Sequence, residues 1–270
     1  MEVDDPTDER LRPYTSLNDP ALRRLSEGRD GVFVVEGRWA LEVVLAAGAR
    51  VMSVMVLHRR LAELAPLGVG GGLAGVPVYA VGPAVMDAVA GFNVHRGLLA
   101  VAERPLARPV AELLEGPAQG TVVVVEGVND QENLGAIFRN AAAFGAAAVL
   151  LDPTCADPFY RRTVRVSMGQ VARVPSARLQ PWPRALSVLE EHGLELVALT
   201  PDRAAPELAD VSGELTGRRV AMLVGAEGRG LSGPVLRRCR PARIPMADGV
   251  DSLNVAAATA VGLYGLARRP

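Results

Sequence analysis

Hydrophobic and polar positions along the chain fall into two successive series of short alternating patterns. In the first, "GVFVVEG", "RVMSVMVL" and "VPVYAV" are β-branched runs that predict strands. "RWALEVVLAAG" has helical apolar spacing and ends at Gly48; "PAVMDAVAG" predicts a second helix and "RGLLAVAE" a last strand. The alternation implies a small α/β unit over 13–104. Prolines and glycines in "RPLARPVAELLEGPAQG" then break the pattern, which places a linker at 105–119. The second series, 120–270, begins with "TVVVVEG", an alanine-rich helix, and the strand "AAVLLD". "DPFYRRTVRVSMG" and "WPRALSVLEEHG" read as helical, "LELVALT" and "RRVAMLVG" as strands, and "VAAATAVGLYGLARR" as a closing helix. Near-continuous apolar strands between helices predict a parallel α/β sheet.

Composition narrows the chemistry. Of 270 residues, 49% are hydrophobic, enough for a sizeable core. Glu2, Asp4, Asp5, Asp8 and Glu9 crowd the start, so residues 1–12 read as an acidic flexible tail. The net charge is −1, but every basic residue is arginine. That excludes P-loop and Schiff-base lysines and leaves permanent cations suited to phosphate. Two cysteines make no disulfide framework and suggest a reducing compartment. His58, His95 and His192 are scattered, with no zinc spacing, so no metal is expected. The uncharged run Leu64–Met86 is long enough for a membrane, but its prolines and glycines argue for loop and strand. A cytoplasmic protein without a membrane partner is expected.

Three segments carry candidate chemistry. In "ENLGAIFRNAAAFGA", Asn133 suits an N-cap, and Gly145 suits the exit. Leu134, Ile137, Phe138 and Ala141 share a face, and Arg139 lies off it. Alone, this is a capped core helix with one solvated arginine. In "LVGAEGRGLS", a strand ends at Gly225 and a glycine-rich loop follows with Glu227 at its centre, where backbone approaches a ligand closely. In "RIPMADGVDSLNVAAATAVGLYG", Ser252 and Asn254 flank Leu253 at a helix entrance, and either could cap it. Gly70, Gly72 and Gly75 form a G-x-G-x-x-G in a loop with no helix after it, so a dinucleotide oxidoreductase is disfavoured.

Taken together and in this order, the three segments resemble motifs 1, 2 and 3 of the SpoU/TrmH family of RNA ribose 2′-O-methyltransferases. The resemblance spans roughly Thr121 to Arg269. The first half, through "FVVEGRWALEVVLAAG", more loosely resembles that family's L30e-like substrate-binding domain. The resemblance implies an α/β fold: a parallel-sheet domain with a deep C-terminal trefoil knot, plus a smaller N-terminal α/β domain. It implies S-adenosylmethionine as cofactor, RNA as substrate and a homodimer with sites at or near its interface. Ribosomal RNA of the large subunit is the expected target; transfer RNA, or a non-catalytic RNA-binding role, are the alternatives.

Carried onto this chain, the resemblance makes Arg139 the catalytic arginine, contacting the target ribose-phosphate. Asn133 and Glu227 would orient it or the loops, and Ser252 and Asn254 would hold the helix entrance and contact substrate or cofactor. An apolar slot with backbone groups suits S-adenosylmethionine, and Leu199, Thr200, Leu223, Gly225, Ile244, Met246 and Leu253 are its candidates. Arg23, Arg24, Arg29, Arg59, Arg60 and Arg96 in the first half, with Arg161 and Arg165, are available for RNA phosphates.

Overall fold

The computed structural model describes residues 1–15, 17, 31–68, 72–115 and 120–266. The chain divides into two compact units. Unit 1 holds Met1–Leu106 and Phe159–Arg173; unit 2 holds Ala107–Pro158 and Val174–Pro270. The segment Phe159–Arg173, which sequence order assigns to the second half, therefore packs with the first.

Unit 1 is built on a four-stranded mixed sheet in the order β1 (Val32–Glu36), β4 (Leu98–Glu103), β2 (Val51–Leu57), β3 (Val78–Val81). β4 runs antiparallel to β1 and β2, and β3 is parallel to β2. Helix α1 (Arg38–Ala46) buries Ala40, Leu41 and Val44, and α2 (Pro83–Ala90) buries Met86, Val89 and Ala90. Helix α4 (Arg161–Val166) is the later segment's contribution and packs on β1.

The first twelve residues are not a flexible tail. Val3, Leu11 and Tyr14 are buried, Val3 N–H donates to the Ala80 carbonyl, and Glu9–Tyr14 forms a 3-10 helix capped by Asp8. The acidic residues face water while apolar residues between them reach the core. The Tyr14 hydroxyl meets Ser53 Oγ at 2.7 Å inside that core. Tyr14→Phe should strand the buried serine and cost about 1–2 kcal/mol. Urea denaturation would show this as a lower midpoint at unchanged slope.

Unit 2 is a six-stranded sheet in which every pairing is parallel: β10 (Arg240–Ala242), β8 (Leu194–Leu199), β9 (Arg219–Gly225), β5 (Val122–Glu126), β6 (Ala148–Leu151), β7 (Ser176–Arg178). The valine run of β5 is buried on both faces, as a central parallel strand requires. The two edge strands are three residues long, and Pro241 sits in one of them, where a missing N–H is tolerated. Helices α3 (Gln131–Ala143), α5 (Ser187–Glu191), α6 (Leu208–Glu214) and α7 (Val255–Leu266) complete the unit. The expected linker 105–119 includes a helix, Val110–Leu114, whose Leu113 and Leu114 are buried in this core.

Chain order places β8 before β9, yet β10 is added outside β8. The chain then returns through 243–254 to α7, which packs on α3, α6 and β9. This path accommodates the knot implied by the resemblance. Gly262 lets α7 lie close on the sheet: a Cβ there would stand 2.4 Å from Met222 Sδ and 2.7 Å from Leu199 Cδ1.

Candidate functional site

The three motifs meet at the C-terminal ends of β8 and β9. Helix α3 begins one turn earlier than its apolar face suggests. Asp130 is the N-cap, accepting from Glu132 N–H at 2.9 Å and Asn133 N–H at 2.8 Å. Asn133 is therefore in the first turn, not the cap, and its side chain is free for another task. Seven residues on, Asn140 projects from the same face. Asn140 Nδ2 donates to the Ala256 carbonyl at 2.8 Å, locking α3 against α7.

Asn254 is the centre of the arrangement. Its Oδ1 accepts from Ala256 and Ala257 N–H at 2.9 and 3.2 Å, which caps α7. Its Nδ2 donates to Asn133 Oδ1 at 2.8 Å and Glu227 Oε1 at 2.6 Å. One side-chain amide thus spends both protons and its oxygen on all three motifs. Asn254→Ala should cost about 1–3 kcal/mol through the orphaned partners. Asn254→Asp would keep the cap but set a carboxylate against Glu227. Thermal melts and cofactor titration together should show the Asp variant losing affinity more than stability.

Glu126 is a positioning residue that sequence reading missed. Its carboxylate, at the end of β5, accepts from Trp182 Nε1 at 2.7 Å, Ser232 N–H at 2.8 Å and Ser232 Oγ at 2.7 Å. The Ala226 N–H donates to its carbonyl at 2.9 Å. It fixes both ends of the loop that carries Glu227. The available signal was a carboxylate ending the valine run "VVVVE".

Beside the Asn254 junction is a cavity of about 420 Å³, within the range of small-molecule sites. Leu199, Thr200, Gly225, Ile244, Met246, Ser252 and Leu253 line it, with Glu227, Val224, Val255 and the glycines of the loop. A second hollow lined by Asp202, Arg203, Asp248 and Asp251 continues from it across Thr200 and Met246. Leu223 is not on the wall. Neighbouring strand residues point to opposite faces, so Val224 faces the cavity and Leu223, fully buried, joins the core on the other side. Gly225 is required by the loop's return: a Cβ would lie 2.2 Å from the Gly230 carbonyl carbon.

Arg139 is exposed on α3 and, among the described residues, makes no hydrogen bond or ion pair; it does not line the cavity. Its neighbour Asn140 is engaged, so the arginine's direction is set by the helix while its guanidinium stays available. Arg161 differs from expectation. It forms an ion pair with buried Glu36 at 2.6 Å and lies over the Phe92 ring at 4.0 Å, inside unit 1. Its charge holds unit 1 together and is not offered to phosphate. Arg96 and half-buried Arg165 also belong to unit 1, while Arg23, Arg24 and Arg29 lie outside the described residues.

The cysteines take no part. Burial pushes the thiols of Cys155 and Cys239 up to about 12, so neither is a thiolate nucleophile near neutral pH. Burial also raises the Asp152 carboxyl. Hydrogen bonds from Cys155, Thr154 and the Gly127 N–H outweigh that and leave its pKa below the ordinary value. Among the described residues there is no cluster suited to a metal ion, and no helix is long and apolar enough to cross a membrane.

Parallel strands that open at their C-terminal ends onto a glycine-walled cavity, partly apolar and partly polar, define an α/β enzyme domain with a built-in small-molecule site. The model of the SpoU rRNA methylase family matches residues 120–264. An uncharacterized tRNA/rRNA methyltransferase of Mycobacterium bovis is 42% identical over 265 residues, covering 98% of this chain and 90% of that protein. The 23S rRNA (guanosine-2′-O-)-methyltransferase RlmB of Bordetella pertussis is 36% identical over 201 residues, 73% of this chain and 80% of that one. The solved structure of an AdoMet-bound rRNA methyltransferase from Sinorhizobium meliloti matches with TM-score 0.81 and 25% identity, covering 98% of this chain and 97% of that one. The chain belongs to the SpoU family of RNA methyltransferases.

Proposed function

We propose that the protein transfers a methyl group from S-adenosylmethionine to a ribose 2′-hydroxyl of ribosomal RNA, most naturally that of the large subunit. The observation that carries this reading is the Asn254 junction, which draws Asn133, Glu227 and the α7 entrance together at the cavity's edge. The large-subunit assignment is supported by the likeness to the Bordetella enzyme.

The cavity suits this cofactor. Leu199, Ile244, Met246, Leu253 and Val255 offer an apolar slot, and the Gly225–Gly230 loop offers backbone groups for adenine edges. The carboxylates of Glu227 and Asp251 are on its wall, a favourable field for a cationic ligand. When bound, the cofactor supplies a methyl group on a sulfonium, ready for in-line displacement.

The chain's own residues do the rest. A 2′-hydroxyl is a poor nucleophile, so charge developing on its oxygen must be stabilised as its proton leaves. Arg139 is a permanent cation with a fork of donors, suited to holding the ribose-phosphate and that oxygen. Asn254, through Asn133 and Glu227, keeps α3 and the glycine loop in register. Ser252, exposed on the cavity wall, is placed to contact substrate or cofactor.

The site is completed between two copies of the chain. Phe144, Val261 and Tyr264 expose apolar surface on the segment after α3 and on α7, the elements adjoining Arg139 and Asn254. Sedimentation of the purified protein should give the mass of a dimer.

The substrate is tested by incubating the protein with labelled cofactor and either unmodified 23S rRNA fragments or tRNA. Label on the 23S fragments alone is expected; label on tRNA alone would overturn the ribosomal assignment.

A further inference from the structure

The glycine loop after β9 carries a cation that neither the fold nor the cofactor cavity uses. Ala226 bridges Gly230, and the Gly230 N–H donates to the Ala226 carbonyl at 2.8 Å, so the loop folds back on itself. Arg229 stands at its return, between Gly228 at φ +82° and Gly230 at φ +63°. Both ends of the loop are tied to Glu126, through the Ala226 N–H and through Ser232. Arg229 is thus presented from a fixed backbone.

Its side chain is turned off the cavity wall. Val224 to Gly228 and Gly230 all line the cavity, and Arg229 between them does not. It is exposed and, among the described residues, makes no hydrogen bond or ion pair. Arginines elsewhere in unit 2 are committed. Arg178 donates to the carbonyls of Asp152, Cys155 and Ala156, and Arg219 to those of Leu114 and His192. Arg238, Arg240 and Arg243 each pair with a glutamate.

We propose that Arg229 holds the RNA phosphate on the 3′ side of the methyl-accepting ribose, at the mouth of the cavity. The inference rests on the reading that the cofactor fills this cavity and the substrate is RNA; it adds a residue that seats the acceptor. The site has two opposed electrostatic tasks. Inside, the carboxylates of Glu227 and Asp251 favour a cationic sulfonium. At the mouth the same carboxylates repel a polyanion. Arg229, two residues from Glu227 and facing outward, reverses the sign of the field where the strand must approach. The 3′-phosphate is attached to the ribose carbon next to the one bearing the 2′-hydroxyl, so a strand poised for methyl transfer brings that phosphate to the rim. A guanidinium fits its oxygens. The cofactor's own carboxylate would be the rival anion, but it would lie within the cavity, which Arg229 does not face.

The test uses the full-length protein, S-adenosylmethionine, an RNA it methylates, and the variants Arg229→Gln and Arg229→Lys. Arg229→Gln should raise KM for RNA about tenfold, the low end of what a charge-assisted hydrogen bond supplies. It should also flatten the dependence of log KM on log salt by about 0.7, one single-stranded phosphate's worth. Cofactor affinity by titration calorimetry should stay within about twofold, and the melting temperature should not move. Arg229→Lys should restore the salt dependence and most of KM, because a point charge still attracts phosphate. An unchanged KM and salt dependence in Arg229→Gln, with the wild type methylating RNA, overturns the inference and leaves the proposed function standing. So does weakened cofactor binding with KM for RNA unchanged, which would give Arg229 to the cofactor's carboxylate. A loss of KM that follows a lower melting temperature and is not rescued by lysine overturns it as well. A wild type that binds cofactor but methylates no RNA, or binds no cofactor, sinks the proposed function and the inference together.

Discussion

Arg139→Ala should lower kcat for RNA methylation by roughly 10²–10³-fold, about 2.7–4 kcal/mol of transition-state stabilisation. The folded protein should hardly notice. The side chain is exposed, makes no polar contact among the described residues, and sits mid-helix, where alanine is a good replacement. Melting temperature and cofactor affinity should stay near the wild type, while turnover collapses. Arg139→Lys should recover little, because an ammonium cannot offer the guanidinium's planar fork. Single-turnover kinetics beside thermal melts check this. A variant that loses stability in proportion to activity would make Arg139 a structural residue.

Gly225→Ala is the second large effect, and it works through shape. The glycine's φ lies outside the left-handed region, so alanine is acceptable to the backbone itself. The obstacle is the returning loop: the new methyl would meet the Gly230 carbonyl carbon at 2.2 Å, its oxygen at 2.4 Å and Leu231 N at 2.4 Å. Those are backbone atoms, held by the Gly230 N–H to Ala226 carbonyl bond at 2.8 Å. Something must shift, and what shifts is the cavity wall. Stability should fall by about 1–3 kcal/mol, and cofactor affinity by at least about tenfold. Gly213→Ala is the control. It lies in α6 with open space at its Cβ and no positive φ, and should be neutral or slightly stabilising. Isothermal titration with S-adenosylmethionine reads the affinity. Undiminished binding by Gly225→Ala would place the cofactor away from this loop.

Much of this was legible in the chain's patterning because local forces decide it. The apolar stripe Leu134, Ile137, Phe138, Ala141 is fully buried, and Arg139 is off it, as the 3.6-residue period requires. Asn254 could be read as a cap from its place before an alanine-rich helix. What escaped was set by parity or by distance. Leu223 and Val224 are equally apolar in a strand buried on both faces, so periodicity cannot say which one meets the cavity. Asp130 competes with Asn133 for the cap of α3, and both are good capping residues. Val3, Leu11 and Tyr14 are hidden among acids, and a residue-by-residue charge count reads them as tail. The Glu36–Arg161 pair joins residues far apart in sequence, so the segment after β6 gave no local sign that it belongs to unit 1.

This site is proposed to methylate a ribose oxygen. The most direct measurement is mass spectrometry of nucleosides from ribosomal RNA treated with wild-type protein, S-adenosylmethionine, and the folded Arg139→Ala variant in parallel. The wild type should yield a 2′-O-methyl nucleoside, the variant none, and both should bind the cofactor equally. A methyl group found on a base, or a 2′-O-methyl nucleoside made equally by both proteins, would contradict that proposal.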